Sequence, residues 1–305
     1  MKRKSVQHKW SVLFYLLLPI IGGGWVGVSC SEESGQDIIL DRSRAKTPFD
    51  YWLDSNYVAP YNIAYLYRYE DKESDMNYYT VPADYNKAIM LAHLVKYLCL
   101  EAYDECAGIG FTRRNFPKMI FTIGEWEYRN NGTFILGTAE GGKKILLTGV
   151  NELDQHIDNP DELNSYYLKT IHHEFTHILN QTKEYTASFQ LITGTGYVAD
   201  SWSNKPFDSG YLTRGFISAY SQHSDTEDFA EMLSMYIVNS PQQWAQWMQE
   251  AGDEGQRLIN AKLDVVRAYM LTQWKIDIDQ MRSCLQRRQA DVAEGRVALG
   301  EELFE

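Results

Sequence analysis

His173, Glu174 and His177 stand within the run His172-His173-Glu174-Phe175-Thr176-His177, a His-Glu-x-x-His pattern in a chain of 305 residues that holds only seven histidines. On an α-helix, positions four apart project from one face, so the two imidazoles can hold a single zinc ion. Glu174 follows the first of them directly, close enough to polarise a water on that metal, the arrangement of a zinc metallopeptidase. The pattern therefore predicts a hydrolase with one Zn2+ per chain. Histidines on a helix face are more often exposed or bonded to neighbours, so the local helix matters. Leu168, Ile171, Phe175 and Ile178 recur at helical spacing as an apolar stripe, and His173, Glu174, His177 and Gln181 fall off it.

A catalytic zinc site needs a third protein ligand and an open position for water. Asn180 and Lys183 occupy the places where an extended motif would carry Gly and a third His, which excludes the metzincin arrangement. Downstream, residues 226–236 predict a second helix with Phe229, Met232, Leu233 and Tyr236 on its apolar side. Glu227 and Glu231 are four apart and share a face. Between them they could supply one zinc ligand and one acceptor for the N–H of a ligand imidazole. A solvated acidic helix start is the competing account, since acidic residues favour the first turn.

The elements that must position these residues follow from periodicity. Residues 82–106 carry Ala88, Met90, Leu91, Leu94, Val95, Leu98 and Cys99 at helical spacing, a long buried helix. Met119–Ile123, Thr133–Gly137 and Lys144–Thr148 read as strands, with Glu140-Gly141-Gly142 as a hairpin turn. A helix, a small sheet and then the motif helix is the order a zincin-type upper lobe requires, and a sheet edge could align an extended peptide. Residues 193–211 lack periodicity and predict an irregular loop. Beyond Pro241 the chain turns helical again. The expected fold class is α+β, a zincin-like metallopeptidase domain with a small sheet, the His-Glu-x-x-His helix and a mainly helical C-terminal lobe. Its expected span is 47–305, with an upper lobe over about 47–182 and a lower one over about 183–305.

The segments His173–His177 and Glu227-Asp228-Phe229-Ala230-Glu231, with Tyr220 seven residues before Glu227, resemble the gluzincin pattern of the anthrax lethal factor type. That resemblance implies Glu227 as third ligand and Tyr220 as a catalytic helper that hydrogen-bonds the oxyanion. His223 and Glu231 are the alternatives for the third ligand. Tyr51-Trp52-Leu53, Asn56-Tyr57, Pro60-Tyr61-Asn62-Ile63, Tyr67-Arg68-Tyr69 and the Gly215–Tyr220 run are similar to the substrate import-associated zinc metallohydrolase lipoproteins of Bacteroidota. This second resemblance implies a place near nutrient uptake, beside a TonB-dependent porin and its binding lipoprotein.

The expected reaction is hydrolysis of an amide bond in a peptide or glycopeptide. Glu174 would act as general base and Glu231 would orient a ligand His or the Tyr220 segment. Two other readings compete. One is a zinc hydrolase of a cell-wall amide; the other is a non-catalytic zinc-containing lipoprotein that binds glycan or peptide through the tyrosines of residues 51–85.

Lys2, Arg3, Lys4 and Lys9, the apolar stretch 10–21 and small residues leading to Cys30 read as a signal peptide over 1–29. The stretch is short for a membrane span. Cys30 followed by Ser31-Glu32-Glu33 predicts lipidation and a tether over 30–46, hence an outer-membrane lipoprotein on the cell surface or periplasmic face. Four of the 29 basic residues and none of the 41 acidic ones lie in 1–29, which leaves a mature net charge near −16. Such a field repels nucleic acid and anionic membrane, leaving the lipid as anchor. Cys99, Cys106 and Cys284 remain. An odd number cannot all pair, and two helical turns between the first two, roughly 10 Å, are too far for a disulfide, so buried free thiols are expected.

Overall fold

Thr47 and Asp50 cap each other. The Asp50 amide donates to Thr47 Oγ1 at 3.3 Å and the Thr47 amide to Asp50 Oδ2 at 2.7 Å, with Pro48 at the first helical position. Helix α1 begins there and covers 48–61, with a π-helical turn at Asp54–Val58. The structure, a computed structural model, describes residues 45–73, 77–78, 80–128, 134–140 and 143–300. The signal peptide, Cys30, nearly all of the tether, Thr133 and the glycines at 141 and 142 lie outside the described residues.

Strand β1 (Ala64–Leu66) follows, and Arg68 then reaches back to both Asp50 oxygens at 2.9 and 2.7 Å. Tyr57, Tyr61, Tyr65 and Tyr67 are buried, with Tyr57 and Tyr65 donating to the Ala92 and Ala88 carbonyls. These tyrosines pack the N-terminal segment onto the domain, which removes them from any glycan-binding surface. Helix α2 (85–107) is capped by Asp84, whose side chain accepts from the Asn86 and Lys87 amides. It ends at Gly108, whose φ of +79° suits glycine, and α3 (Ile109–Asn115) turns away from it.

Strand β2 (Met119–Thr122) pairs in parallel with β1, Ala64 opposite Met119. The expected strand at 133–137 is instead two. The ribbon of β3 (Glu127–Tyr128) and β4 (Phe134–Ile135) pairs on its own, while β5 (Gly137–Glu140) runs antiparallel to β6 (Lys144–Leu147), Gly137 opposite Leu147. The sheet order is β1-β2-β6-β5, with β2 and β6 parallel and central. Every residue of β6 is buried, which suits a strand covered on both faces.

The motif helix α4 covers 160–182, with Pro160 at its first position and Asn159 capping the Asp161 and Glu162 amides. A π-helical turn at Asn164–Leu168 immediately precedes the stretch that carries the motif, a distortion frequent at functional sites. Edge strand β5 packs against α4 very closely. A Cβ at Gly137 would lie 2.5 Å from the Leu146 carbonyl oxygen and 2.7 Å from Thr170 Cγ2, so only glycine fits.

Helix α5 (Asp225–Val238) begins at Ser224, whose hydroxyl accepts from the Glu227 amide at 3.3 Å. Phe229, Met232 and Leu233 face the core, and α5 packs on α4, on α6 (Pro241–Tyr269) and on α7 (Ile278–Ala293). Gly252, at φ +65°, breaks α6. Between Thr193 and Tyr211 the chain makes only short 3-10 turns, consistent with an irregular loop. The described residues from Lys46 onward form one compact unit around a shared hydrophobic core. Among the described residues no helix is long and apolar enough to cross a membrane.

Candidate metal centre

Residues four apart on α4 present His173 and His177 to the first turn of α5, where the Ser224 cap fixes Glu227. His173 Nε2 lies 2.9 Å from Glu227 Oε2, His177 Nε2 lies 3.2 Å from the same oxygen, and the two ring nitrogens are 3.0 Å apart. Three ligand atoms around a tetrahedral zinc at about 2.0–2.1 Å are separated by roughly 3.3 Å. Two imidazoles and a carboxylate meeting almost on those edges fit the ion in both geometry and donor chemistry. Among the described residues no other three His, Cys, Asp or Glu side chains converge in this way.

His173 Nδ1 faces Glu231 Oε1 at 2.9 Å, which directs Nε2 towards the other donors. Glu231 is buried beside two further groups: Lys169 Nζ lies 3.0 Å from Oε1 and the Ser218 hydroxyl donates to Oε2 at 2.7 Å. Burial opposes its charge, but Lys169, His173 and Ser218 outweigh that and hold the carboxyl well below the ordinary range. Glu231 thus sits behind the donor trio, outside it. His223 is turned to Asp200, 3.4 Å away, and is also outside the trio. His172 belongs to the core: Tyr103 Oη lies 3.0 Å from its Nδ1, and burial lowers its pKa to about 3.

Glu174 lines a cavity of about 570 Å³ shared with His177, Glu227, Asn180, Tyr185 and Asp225. Tyr220 places its ring 6.0 Å from that of His173, between neighbours Trp202 and His223 at 5.1 and 5.7 Å. Residues 42–279 match the protein family described as "Putative zinc-binding metallo-peptidase". The chain belongs to that family. A crystal structure described as that of a "putative zinc-binding metallo-peptidase" from Bacteroides caccae shares 38% identity, with a TM-score of 0.72 over 85% of this chain and 98% of the other. None of the curated proteins matches. The fold of this metallopeptidase-family chain is accordingly α+β and zincin-like.

Two residues of this candidate centre in the metallopeptidase-family chain escaped the sequence reading. Lys169 stands four before His173, a spacing that could have found it; Ser218 lies in an irregular segment with no periodic signal. A third feature supports the site from below. Asp228, next to Glu227, pairs with Lys262 of α6 at 2.6 Å with both side chains fully buried. Tyr197 donates to the same Asp228 oxygen at 3.0 Å, and Lys262 donates to the Gly215 carbonyl at 2.8 Å.

Electrostatics set a pH dependence for loading. Burial by itself lowers the pKa of His173, yet contacts with Glu227 and Glu231 outweigh it and raise it to about 9. At pH 7 the metal-free protein therefore holds a proton on His173 that a zinc held by this residue would have to displace, since a ligand imidazole is neutral. Apparent zinc affinity should rise about tenfold for each pH unit between roughly 6.5 and 8.5, flattening near 9. Competition with a chromophoric chelator across that range measures it; a flat profile would mean that His173 is already neutral.

Proposed function

We propose that this chain is a zinc-dependent peptidase, with His173, His177 and Glu227 as metal ligands and a peptide or glycopeptide as substrate. The observation that carries this reading is the convergence of those three side chains in a chain of a zinc-binding metallopeptidase family. A bound zinc would supply Lewis acidity, polarising the scissile carbonyl and acidifying water.

The residues of the chain supply the rest. Glu174, in the cavity beside His177, takes the proton of the attacking water and returns it to the leaving amine. Tyr220 donates a hydrogen bond to the oxyanion. Glu231 keeps His173 in the tautomer protonated at Nδ1. Strand β5, which among the described residues pairs only with β6 in the sheet and packs against α4, is the edge at which an extended peptide would add as a further strand.

On the same reading residues 1–29 are a signal peptide, Cys30 bears lipid, and the enzyme works at the outer membrane beside a TonB-dependent porin and its binding lipoprotein. Its support is the N-terminal sequence together with the import-associated resemblance.

Zinc content tests the ligand assignment. The wild-type chain should hold one zinc by inductively coupled plasma mass spectrometry, and Glu227→Ala much less. Equal zinc in both would move the third ligand elsewhere. No zinc in either, after growth with added metal, would end the peptidase reading.

A further inference from the structure

Far along the chain from the metal centre, Cys106 in the last turn of α2 and Cys284 on α7 line a second cavity, of about 560 Å³, with Glu105, Ser283 and Arg287. The two thiols border the same cavity, near enough for each to shift the ionisation of the other. All three thiols are free and Cys284 is buried, as expected, but Cys106 is partly exposed and it and Cys284 both border this cavity. Cys99, by contrast, is enclosed against His172, 3.8 Å from its Nε2.

The surroundings distinguish the two sulfurs. Arg287 Nη2 approaches Cys284 Sγ at 3.7 Å while also binding Glu105 at 2.6 Å, and Arg288 binds Glu105 at 3.0 Å. The Cys106 thiol, then Arg288 and Arg287, stabilise a thiolate on Cys284 and lower its pKa to about 6 against the opposing effect of burial. The same proximity pushes the Cys106 thiol up. A donor thiol beside an acceptor thiolate, both reached from one cavity, is the arrangement of an attacking and a resolving cysteine.

We infer that Cys106 and Cys284 form a redox-active pair that closes to a disulfide by exchange with a small-molecule disulfide of the glutathione type admitted by this cavity. The Cys284 thiolate attacks one sulfur of the oxidant, forming a mixed disulfide and releasing one thiolate, which takes up the proton Cys284 has lost. Cys106 then gives its proton to the second leaving thiolate and attacks Cys284 Sγ, expelling that thiol. Two protein thiols are oxidised to one disulfide, and one oxidant disulfide is reduced to two thiols. The bond ties the end of α2 to α7, which packs on the helix that carries Glu227.

The full chain incubated with oxidised glutathione, quenched in acid, alkylated with a maleimide under denaturing conditions and mapped by mass spectrometry reads this directly. The expected result is loss of two alkylatable thiols, a cross-linked peptide containing Cys106 and Cys284, and reversal by dithiothreitol. In Cys106→Ser, one glutathione should remain trapped on Cys284; in Cys284→Ser, Cys106 should remain unmodified. Full alkylation of both thiols in the oxidised wild-type chain would overturn the pair, and glutathione trapped on Cys106 instead would overturn the assignment of the attacking thiol.

Discussion

Glu174→Gln should keep its zinc and lose turnover by about 10²- to 10⁴-fold, the range over which a positioned general base acts. Glutamine preserves the shape of the side chain at the cavity wall and removes only the basic oxygen. Glu174 lies outside the group of His173, His177 and Glu227, so metal content should match wild type. Cleavage rates on a peptide library, normalised to zinc per chain, separate the outcomes. Full activity would remove Glu174 from the mechanism, whereas loss of zinc together with activity would make it a ligand or a structural support. Because Glu174 and Glu227 border the same cavity, both measurements must be made on one preparation.

Lys262→Met should be the most destabilising single change outside the metal site. Lys262 and Asp228 are both fully buried and 2.6 Å apart, and the lysine also holds the Gly215 carbonyl and lies 3.8 Å from the Phe216 ring. Methionine fills much of the same volume but removes the charge that offsets the burial of Asp228, whose pKa burial already raises to about 6, so its carboxylate must be held unpaired or neutralised, a loss of about 3–5 kcal/mol. At about 2–4 °C per kcal/mol for a chain of this size, the melting temperature should fall by roughly 6–20 °C. Adding Asp228→Asn should recover most of that, since the amide still accepts from Tyr197 and carries no charge. Calorimetry of the wild type, single and double variants gives the cycle. A single variant within 1 kcal/mol of wild type would mean that water reaches Asp228.

The motif helix and the helix of Glu227 were legible because their apolar positions repeat: Ile171, Phe175 and Ile178 on one, Phe229, Met232 and Leu233 on the other, all buried. Spacing also placed Glu227 and Glu231 on one face but could not rank them. What separates them is tertiary, namely Lys169 and Ser218 against Glu231 and the two imidazoles against Glu227. Helix α1 was unreadable for a different reason. Tyr51, Trp52, Tyr57 and Val58 are weak helix formers, so the Thr47–Asp50 cap and burial of Phe49, Leu53 and Tyr57 carry it. Strand β1, at three residues, is too short to show alternation. The 133–137 segment was read as one strand because its apolar run is continuous, whereas its two halves pair with different partners. Nothing in spacing could join Cys106 to Cys284, since their proximity depends on how α7 packs on α2.

The carboxylate of Glu231 draws together Lys169 and His173 from α4 and Ser218 from the irregular segment before α5. His173 is therefore aimed before any ion arrives, by contacts anchored in the core. Folding and metallation become separable events for this chain: a chelator should empty the site without melting the protein, unlike a zinc finger, and refilling should need little reordering. Ambient zinc would then govern what fraction of the folded population is competent, while how much of the chain is folded would depend on the ion only through the logarithm of its excess over the dissociation constant.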